Sequence, residues 1–316
     1  MPAQEKGAPG RPRATRDGFL YGTAAYGMWG MLAMFWPLLG SSNPTEILAH
    51  RMVWSLPVAL IILILRRRWS WLRPLLRAPR RLALSAAAAV TISVNWGLYI
   101  WGVNSDHVVE ASLGSFITPL AVIAAGVVVY KERLRRGQWA AVGVGTAAVV
   151  VLSFCCGRLP WLALALALAV TFAAYGVLKK KAGLDGIESF AVESAFLFPV
   201  ALGYLIYLQC TGHGTFGHGT GHSALLALSG LVTAIPMLCF GAAAIRLPLS
   251  SIGLLQYLAP VMEFVLGVAY FREPMRPAQW GGFVLVWGAL TLLTWEALRQ
   301  TRTRSLVRVS AAEAKP

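Results

Sequence analysis

Charge is what this chain has least of. Asp, Glu, Lys and Arg make up 13% of its 316 residues, where a soluble domain carries roughly 25%. Acid is the scarcer sign, with 13 Asp and Glu against 28 Lys and Arg and a net charge of +15. Cysteine is nearly absent. Cys155, Cys156, Cys210 and Cys239 are too few for a disulfide framework and form no C-x-x-C, so they read as inert thiols. Also missing are the G-x-x-x-x-G-K-[ST] loop that cradles nucleotide phosphates, the H-E-x-x-H helix of metalloproteases and the G-x-S-x-G elbow of hydrolases. Without them the chain reads as a non-enzyme that needs no cofactor and takes its energy from a gradient or from its cargo. His213, His218 and His222, in the loop H-G-T-F-G-H-G-T-G-H, match no standard zinc spacing, and no metal is expected.

Apolar residues are the abundant class, at 57% with a mean hydropathy of +0.62 in 34.1 kDa. Folded surface shrinks too slowly with size for a globule of this mass to hide that much apolar area. A disordered chain would be poor in apolar residues. The remaining solvent is lipid. The basic surplus does not argue for nucleic acid, because it sits in short blocks between long apolar runs, which is how a membrane protein records its orientation.

A membrane helix needs about 20 mostly apolar residues. That length predicts ten spans, at 18–39, 45–65, 82–104, 110–130, 138–155, 160–178, 187–208, 223–245, 249–271 and 278–298. The run after the polar tail 1–17 is too long for a signal-peptide core and no small-x-small cleavage site closes it, so it reads as an uncleaved first span. Alternate connections, together with the two tails, carry 24 of the 28 basic residues. They include the arginines between Arg66 and Arg81, the Lys131–Arg136 cluster, Lys179, Lys180, Lys181 and Arg246. The opposite connections hold only Arg158, Arg272 and Arg276. This asymmetry places both termini in the cytoplasm of a multi-pass cell-membrane protein.

The chain also repeats itself. At an offset of 141, L-G-S-F-I-T-P-L (113–120) meets L-L-Q-Y-L-A-P-V (254–261), and the match runs on from Y-K-E-R-L-R-R-G-Q-W (130–139) to F-R-E-P-M-R-P-A-Q-W (271–280). Pro119 thus meets Pro260, Gly126 meets Gly267 and Glu132 meets Glu273. A-A-Y-G recurs at 24–27 and 173–176, and at an offset of 142 Glu46 meets Glu188. The two copies, 18–155 and 160–298, hold five spans each, followed by a basic tail at 299–316. An odd number of spans turns the second copy upside down, which predicts an all-α membrane fold of two inverted five-helix repeats. Inverted repeats let one scaffold open to either side in turn, so they favour a transporter over a channel, a receptor or a scaffold.

The segments N-W-G-L-Y-I-W-G-V-N (95–104), E-A-S-L-G-S-F-I-T-P-L (110–120), E-R-L-R-R-G-Q-W (132–139) and E-I-L-A-H-R-M-V-W-S (46–55) resemble the RarD family, in the EamA branch of the drug/metabolite transporter superfamily. The likeness runs from about Gly18 to Arg299. It implies a ten-helix inner-membrane permease of the kind described as chloramphenicol-sensitive, exporting or exchanging small metabolites. Lys131 and Arg272 stand where the family commonly has glycine before the loop glutamate.

Certain residues inside the spans are candidates for the work. Pro57, Pro119, Pro199, Pro236 and Pro260 each remove a helical hydrogen bond, and the repeat-matched pair Pro119 and Pro260 is expected to mark bends beside a central cavity. Charges near the middle of a span cost at least ~2.5–3.5 kcal/mol each and are functional candidates. Arg51 and its offset-142 counterpart Glu193 are expected to face each other, or shared water. Glu46 and His50 share a helical face at the outer end of span two, as a proton relay or an interfacial hydrogen bond. Glu263 sits mid-span, three residues after Pro260, as a proton-coupling carboxylate or a polar contact. Tyr26, Asn95, Tyr99, Ser115, Phe116, Tyr175, Gln256 and Tyr257 are expected to line the cavity, and rings with a few amides and hydroxyls suit a small amphipathic metabolite, amino acid or drug. Small residues four apart, such as Gly143 and Ala147, permit close helix packing and leave a homodimer open.

Overall fold

The computed structural model describes residues 12–67, 69–104, 108–134, 138–140, 142–144, 146–147, 150, 159–270 and 288. Every regular element among them is helical. In chain order they are α1 (Pro12–Met31), α2 (Pro44–Arg66), α3 (Leu72–Leu76), α4 (Pro79–Asn104), α5 (Val108–Tyr130), α6 (Leu159–Ala182), α7 (Gly186–Cys210), α8 (Thr220–Ala244), α9 (Leu249–Gln256) and α10 (Leu258–Ala269). Among the described residues five stretches are long and apolar enough to cross a membrane: Pro44–Arg66, Pro79–Tyr99, Ala163–Ala182, Gly186–Cys210 and Thr220–Ala244. Their outer faces carry bare apolar side chains, with Leu65 and Val200 both 77% exposed. Water would not tolerate this, but lipid does. Half of span five and nearly all of span ten lie outside the described residues.

The ends of the helices follow local chemistry. Asn43 caps α2 by accepting from the Thr45 amide at 3.1 Å, with Pro44 at the first helical position. Asp185 N–H donates to Glu188 Oε2 at 3.2 Å at the start of α7. The first span differs from expectation at both ends. α1 begins at Pro12, inside the basic tail, and stops at Met31, giving way to the 3-10 turns Leu32–Met34 and Trp36–Leu39. Pro37, in the first turn of the second, cannot donate the hydrogen bond that would extend the α-helix. The prolines also act less uniformly than expected. Pro57, Pro119, Pro199 and Pro236 sit inside helices that continue through them. Only near Pro260 does the ladder break, at Tyr257 between α9 and α10, where the ring opposes the carbonyl of Gln256 four residues earlier.

Packing shows the two copies and their inversion. α1 packs on α8 and α10 as α6 packs on α4 and α5, and α2 meets α8 as α7 meets α4. The matched pairs α2–α7 and α5–α9 pack on each other. They run antiparallel. A Cβ placed on Gly126, near the end of α5, would lie 3.0 Å from the Ser250 amide at the start of α9. One placed on Gly253, further along α9, would lie 2.7 Å from the Pro119 carbonyl further back in α5. Helices matched in sequence thus point in opposite directions across the pseudo-twofold axis. These two glycines set the α5–α9 spacing, since any side chain there would hold the backbones apart.

Candidate functional site

The end of the bundle where Arg66, Arg67, Arg81, Lys131, Arg133, Lys181 and Arg246 gather is called the basic end below. Three layers are stacked between the other end and this one. The first is a cavity of about 160 Å³ lined by Tyr26, Trp29, Asn95, Tyr99, Gly114, Ser115, Thr118, Leu168, Phe172, Gln256, Ala259 and Pro260. It lies in the half remote from the basic end: Tyr26 and Trp29 are near the close of α1, Tyr99 is near the close of α4, and Ser115 is near the opening of α5. The break at Tyr257 borders it. Asn95 is committed to structure, donating to Leu168 O at 2.7 Å and Thr171 Oγ1 at 2.8 Å and so tying α4 to α6. Tyr26 and Gln256 of this lining each bury a polar atom, Oη and Oε1, that has no partner among the described residues. Leaving such groups unmet costs about 1–3 kcal/mol each.

The second layer is aromatic. Tyr26, Trp29, Phe172, Tyr175 and Phe240 pack with ring centroids 5.2 Å (Tyr26–Trp29) to 6.4 Å (Trp29–Phe172) apart. The repeat-matched tyrosines both lie against Phe240, Tyr26 edge-on at 6.3 Å and Tyr175 stacked at 5.8 Å. Tyr175 is fully buried, and its hydroxyl donates to Glu193 Oε2 at 2.9 Å. It therefore stands behind the cavity rather than on its wall. Tyr257 is likewise buried and off the wall, with its hydroxyl unpartnered. Phe116 lies on α5 and Glu263 on α10, with side chains outside the described residues.

Glu193 links this layer to a buried charge cluster. Lys179 Nζ donates to Glu193 Oε1 at 2.9 Å and to Tyr175 Oη at 2.9 Å, and Ser189 Oγ adds a further bond to Oε1. Lys179 and Glu193 are 1% and 3% exposed. Arg51 and Glu193, expected to face each other or shared water, line one small pocket, while the cation paired with Glu193 is Lys179. Lys179 in turn is not a loop residue; it belongs to the last turn of α6 and faces inward. Arg51 donates from Nε to Thr233 Oγ1 at 2.9 Å and lies over the Trp36 and Trp96 rings at 4.7 and 4.8 Å.

The third layer ties helices together at the basic end. Glu132, just past α5, accepts the amides of Leu249 and Ser250 at 2.9 Å each, capping α9 across the repeat boundary. Lys180 bridges Glu132 Oε1 at 3.4 Å and donates to Leu247 O at 2.9 Å. Burial alone would push the Glu132 carboxyl up, but the amide bonds from Ser250 and Leu249, with Lys180 beside it, hold it below its ordinary value. Lys131, in the position of the family's usual glycine, takes the left-handed conformation with φ 52° and makes the tight turn regardless.

At the other end, Glu46 accepts from the Thr215 amide at 2.7 Å and its hydroxyl at 3.1 Å, and lies 4.0 Å from His50 Nε2. His222 bonds Ser42 Oγ at 2.7 Å, and Phe216 stacks on His50 at 5.0 Å. Sequence reasoning missed Trp29 and Phe172, although each stands three residues from a repeat tyrosine and so on its helical face. It also missed the role of Lys179 and the capping by Glu132, for which no local signal exists.

An α-helical bundle of inverted repeats, coated in apolar side chains and enclosing a cavity of rings with a few amides and hydroxyls, fits a membrane transporter. The EamA-like transporter family model matches twice, over residues 17–154 and 159–295. Protein RarD of Streptomyces exfoliatus is 60% identical over 298 residues, covering 94% of each chain. Protein RarD of Escherichia coli (strain K12) is 37% identical over 93% of this chain and 99% of its own. A solved crystal structure at 18% identity shares the fold, with a TM-score of 0.69 over 89% of this chain and 98% of its own. The chain belongs to the EamA-like transporter family and, within it, to the RarD proteins.

Proposed function

We propose that the chain is a secondary transporter of the cell membrane that carries a small amphipathic metabolite by alternating access, with both termini in the cytoplasm. The observation that carries this reading is a ring-lined cavity beside the broken helix, two of whose lining residues, Tyr26 and Gln256, bury a polar atom (Oη and Oε1) that has no partner among the described residues. Buried polar atoms of this kind are met by a ligand that supplies the complementary donor or acceptor. Among the described residues no charged side chain stands on that wall, so the contacts they offer a solute are neutral ones. At about 160 Å³ the cavity is smaller than the roughly 300–1,000 Å³ of drug-sized pockets, which favours an amino-acid-sized solute. Glu263, mid-helix in α10, is the proton-coupling carboxylate of this scheme, and Glu263→Gln is expected to abolish uptake driven by a pH gradient.

The test is a thermal-shift screen of the purified protein against amino acids, drugs and metabolites, followed by counterflow of each labelled hit in proteoliposomes. A transporter exchanges label, an enzyme alters it, and a scaffold or receptor does neither. Tyr26→Phe and Gln256→Leu are each expected to weaken the hit's binding by about tenfold, the loss of one buried hydrogen bond. Full affinity in both variants would remove the cavity assignment.

A further inference from the structure

Arg51 is the one charge of the described interior that no acid answers. Among the described residues, no carboxylate lies within salt-bridge distance of it. Its pocket neighbour Glu193 is already neutralised by Lys179 and accepts bonds from Ser189 and Tyr175 as well. The Lys179–Glu193 pair cancels, and among the described residues Arg51 is left without a counter-charge. Cation–π contacts offset part of the cost of covering it, but a partly buried ion with no counter-charge still favours an anion beside it.

The guanidinium is held in place from several sides. Nε is tied to Thr233 Oγ1 at 2.9 Å, and two indole rings lie within 4.8 Å of the guanidinium carbon. The Nη groups are the part left over, and among the described residues no acceptor lies within hydrogen-bond distance of them. Arg51 borders a pocket of about 20 Å³ that Ser55, Glu193, Ser194 and Thr233 also line. A space of that size holds about one water, which needs about 10–15 Å³ on this scale, so only the smallest anionic groups enter it. A fixed guanidinium edge recognises planar or spherical anions through paired N–H bonds.

We infer that Arg51, anchored by Thr233, Trp36 and Trp96, binds one small monovalent anionic group at the α2–α4–α7–α8 crossing. The group is either a carboxylate carried by the transported solute or a free inorganic anion, and both meet the same donors. The site is separate from the neutral-walled cavity and stands whether or not that cavity holds the cargo.

Purified full-length protein in detergent is titrated with sodium formate and, separately, sodium chloride. Ionic strength is held constant with a bulky sulfonate salt, and Tm is read throughout. Wild-type Tm is expected to rise saturably. Arg51→Gln is expected to raise the apparent Kd at least about tenfold, and Arg51→Lys by less, since it keeps the charge without the fork. A response to formate alone assigns the site to a carboxylate; equal responses to formate and chloride assign it to a free anion. If Arg51→Gln does not fold, Thr233→Val keeps the charge, frees Nε and is expected to weaken binding about threefold. A wild-type Tm indifferent to both salts, or variants that respond as wild type does, would overturn the inference.

Discussion

The two ends of the bundle are tied by unequal chemistry. At the basic end, Glu132 holds two backbone amides of α9 and the Lys180 ammonium, so one carboxylate joins α5, α6 and α9 across the repeat boundary. At the opposite end, Glu46 holds one amide and one hydroxyl of Thr215, with His50 at 4.0 Å. It ties α2 to the α7–α8 connection at the side of the bundle, away from the cavity. The cavity lies nearer this second end. The described contacts are thus stronger at the basic end, where an ion pair adds to two amide bonds on one carboxylate, than at the end nearer the cavity.

Mutations can break or sharpen that difference. The largest effect is expected just above the Glu132 contacts, where Lys179→Ala leaves Glu193 buried and unanswered. Losing one partner of a buried pair costs about 3–5 kcal/mol. The loss reads as a drop in Tm, and the double variant Lys179→Met with Glu193→Gln should recover much of it.

Glu132→Ala comes next, at about 2–3 kcal/mol, because it strips two charge-assisted amide bonds and the Lys180 contact from a mostly covered carboxylate. Its pH dependence identifies the cause. A carboxyl held below its ordinary value of 4.5 stabilises the fold fully above that pH, and the stabilisation is lost as pH falls through the depressed value. Tm scans of wild type against Glu132→Gln below pH 4.5 should show an acid-dependent component in the wild type that the variant lacks.

At the opposite end, Glu46→Gln keeps one acceptor and is expected to cost only about 1 kcal/mol by the same measurement. A loss as large as that at Glu132 would erase the contrast between the ends. The smallest change goes the other way. Lys131→Gly relieves a left-handed residue in the turn that delivers Glu132 and should gain about 0.5–1 kcal/mol.

The two repeats differ as well as the two ends. α5 runs unbroken through Pro119, while its counterpart breaks at Tyr257 ahead of Pro260. One proline in an apolar run looks like the other in sequence. Whether the ladder survives depends on what meets the freed carbonyl, and that is tertiary. Most of the architecture was legible, because span length and basic asymmetry are imposed by lipid, and a duplicated gene leaves its register in motifs such as A-A-Y-G. Of the cavity, Tyr26, Asn95, Tyr99, Ser115 and Gln256 could be placed by repeat matching and helical spacing. Lys179 could not. At the end of an apolar run, a lysine that reaches the headgroups and one that pairs inward read alike until Glu193, fourteen residues on, is brought beside it by the α6–α7 turn. The same folding step gave Glu193 a partner other than Arg51.

The central claim is that the inverted repeats expose one cavity to each side in turn. It can be tested without knowing the cargo, by placing Ser115→Cys in a background free of native cysteines and labelling it with a membrane-impermeant maleimide. Right-side-out and inside-out vesicles are compared, with and without Glu132→Gln. The account predicts labelling mainly from the side opposite the basic end, with a marked gain from the basic side once Glu132 no longer holds α9. Labelling from a single side at a rate untouched by Glu132→Gln would contradict it.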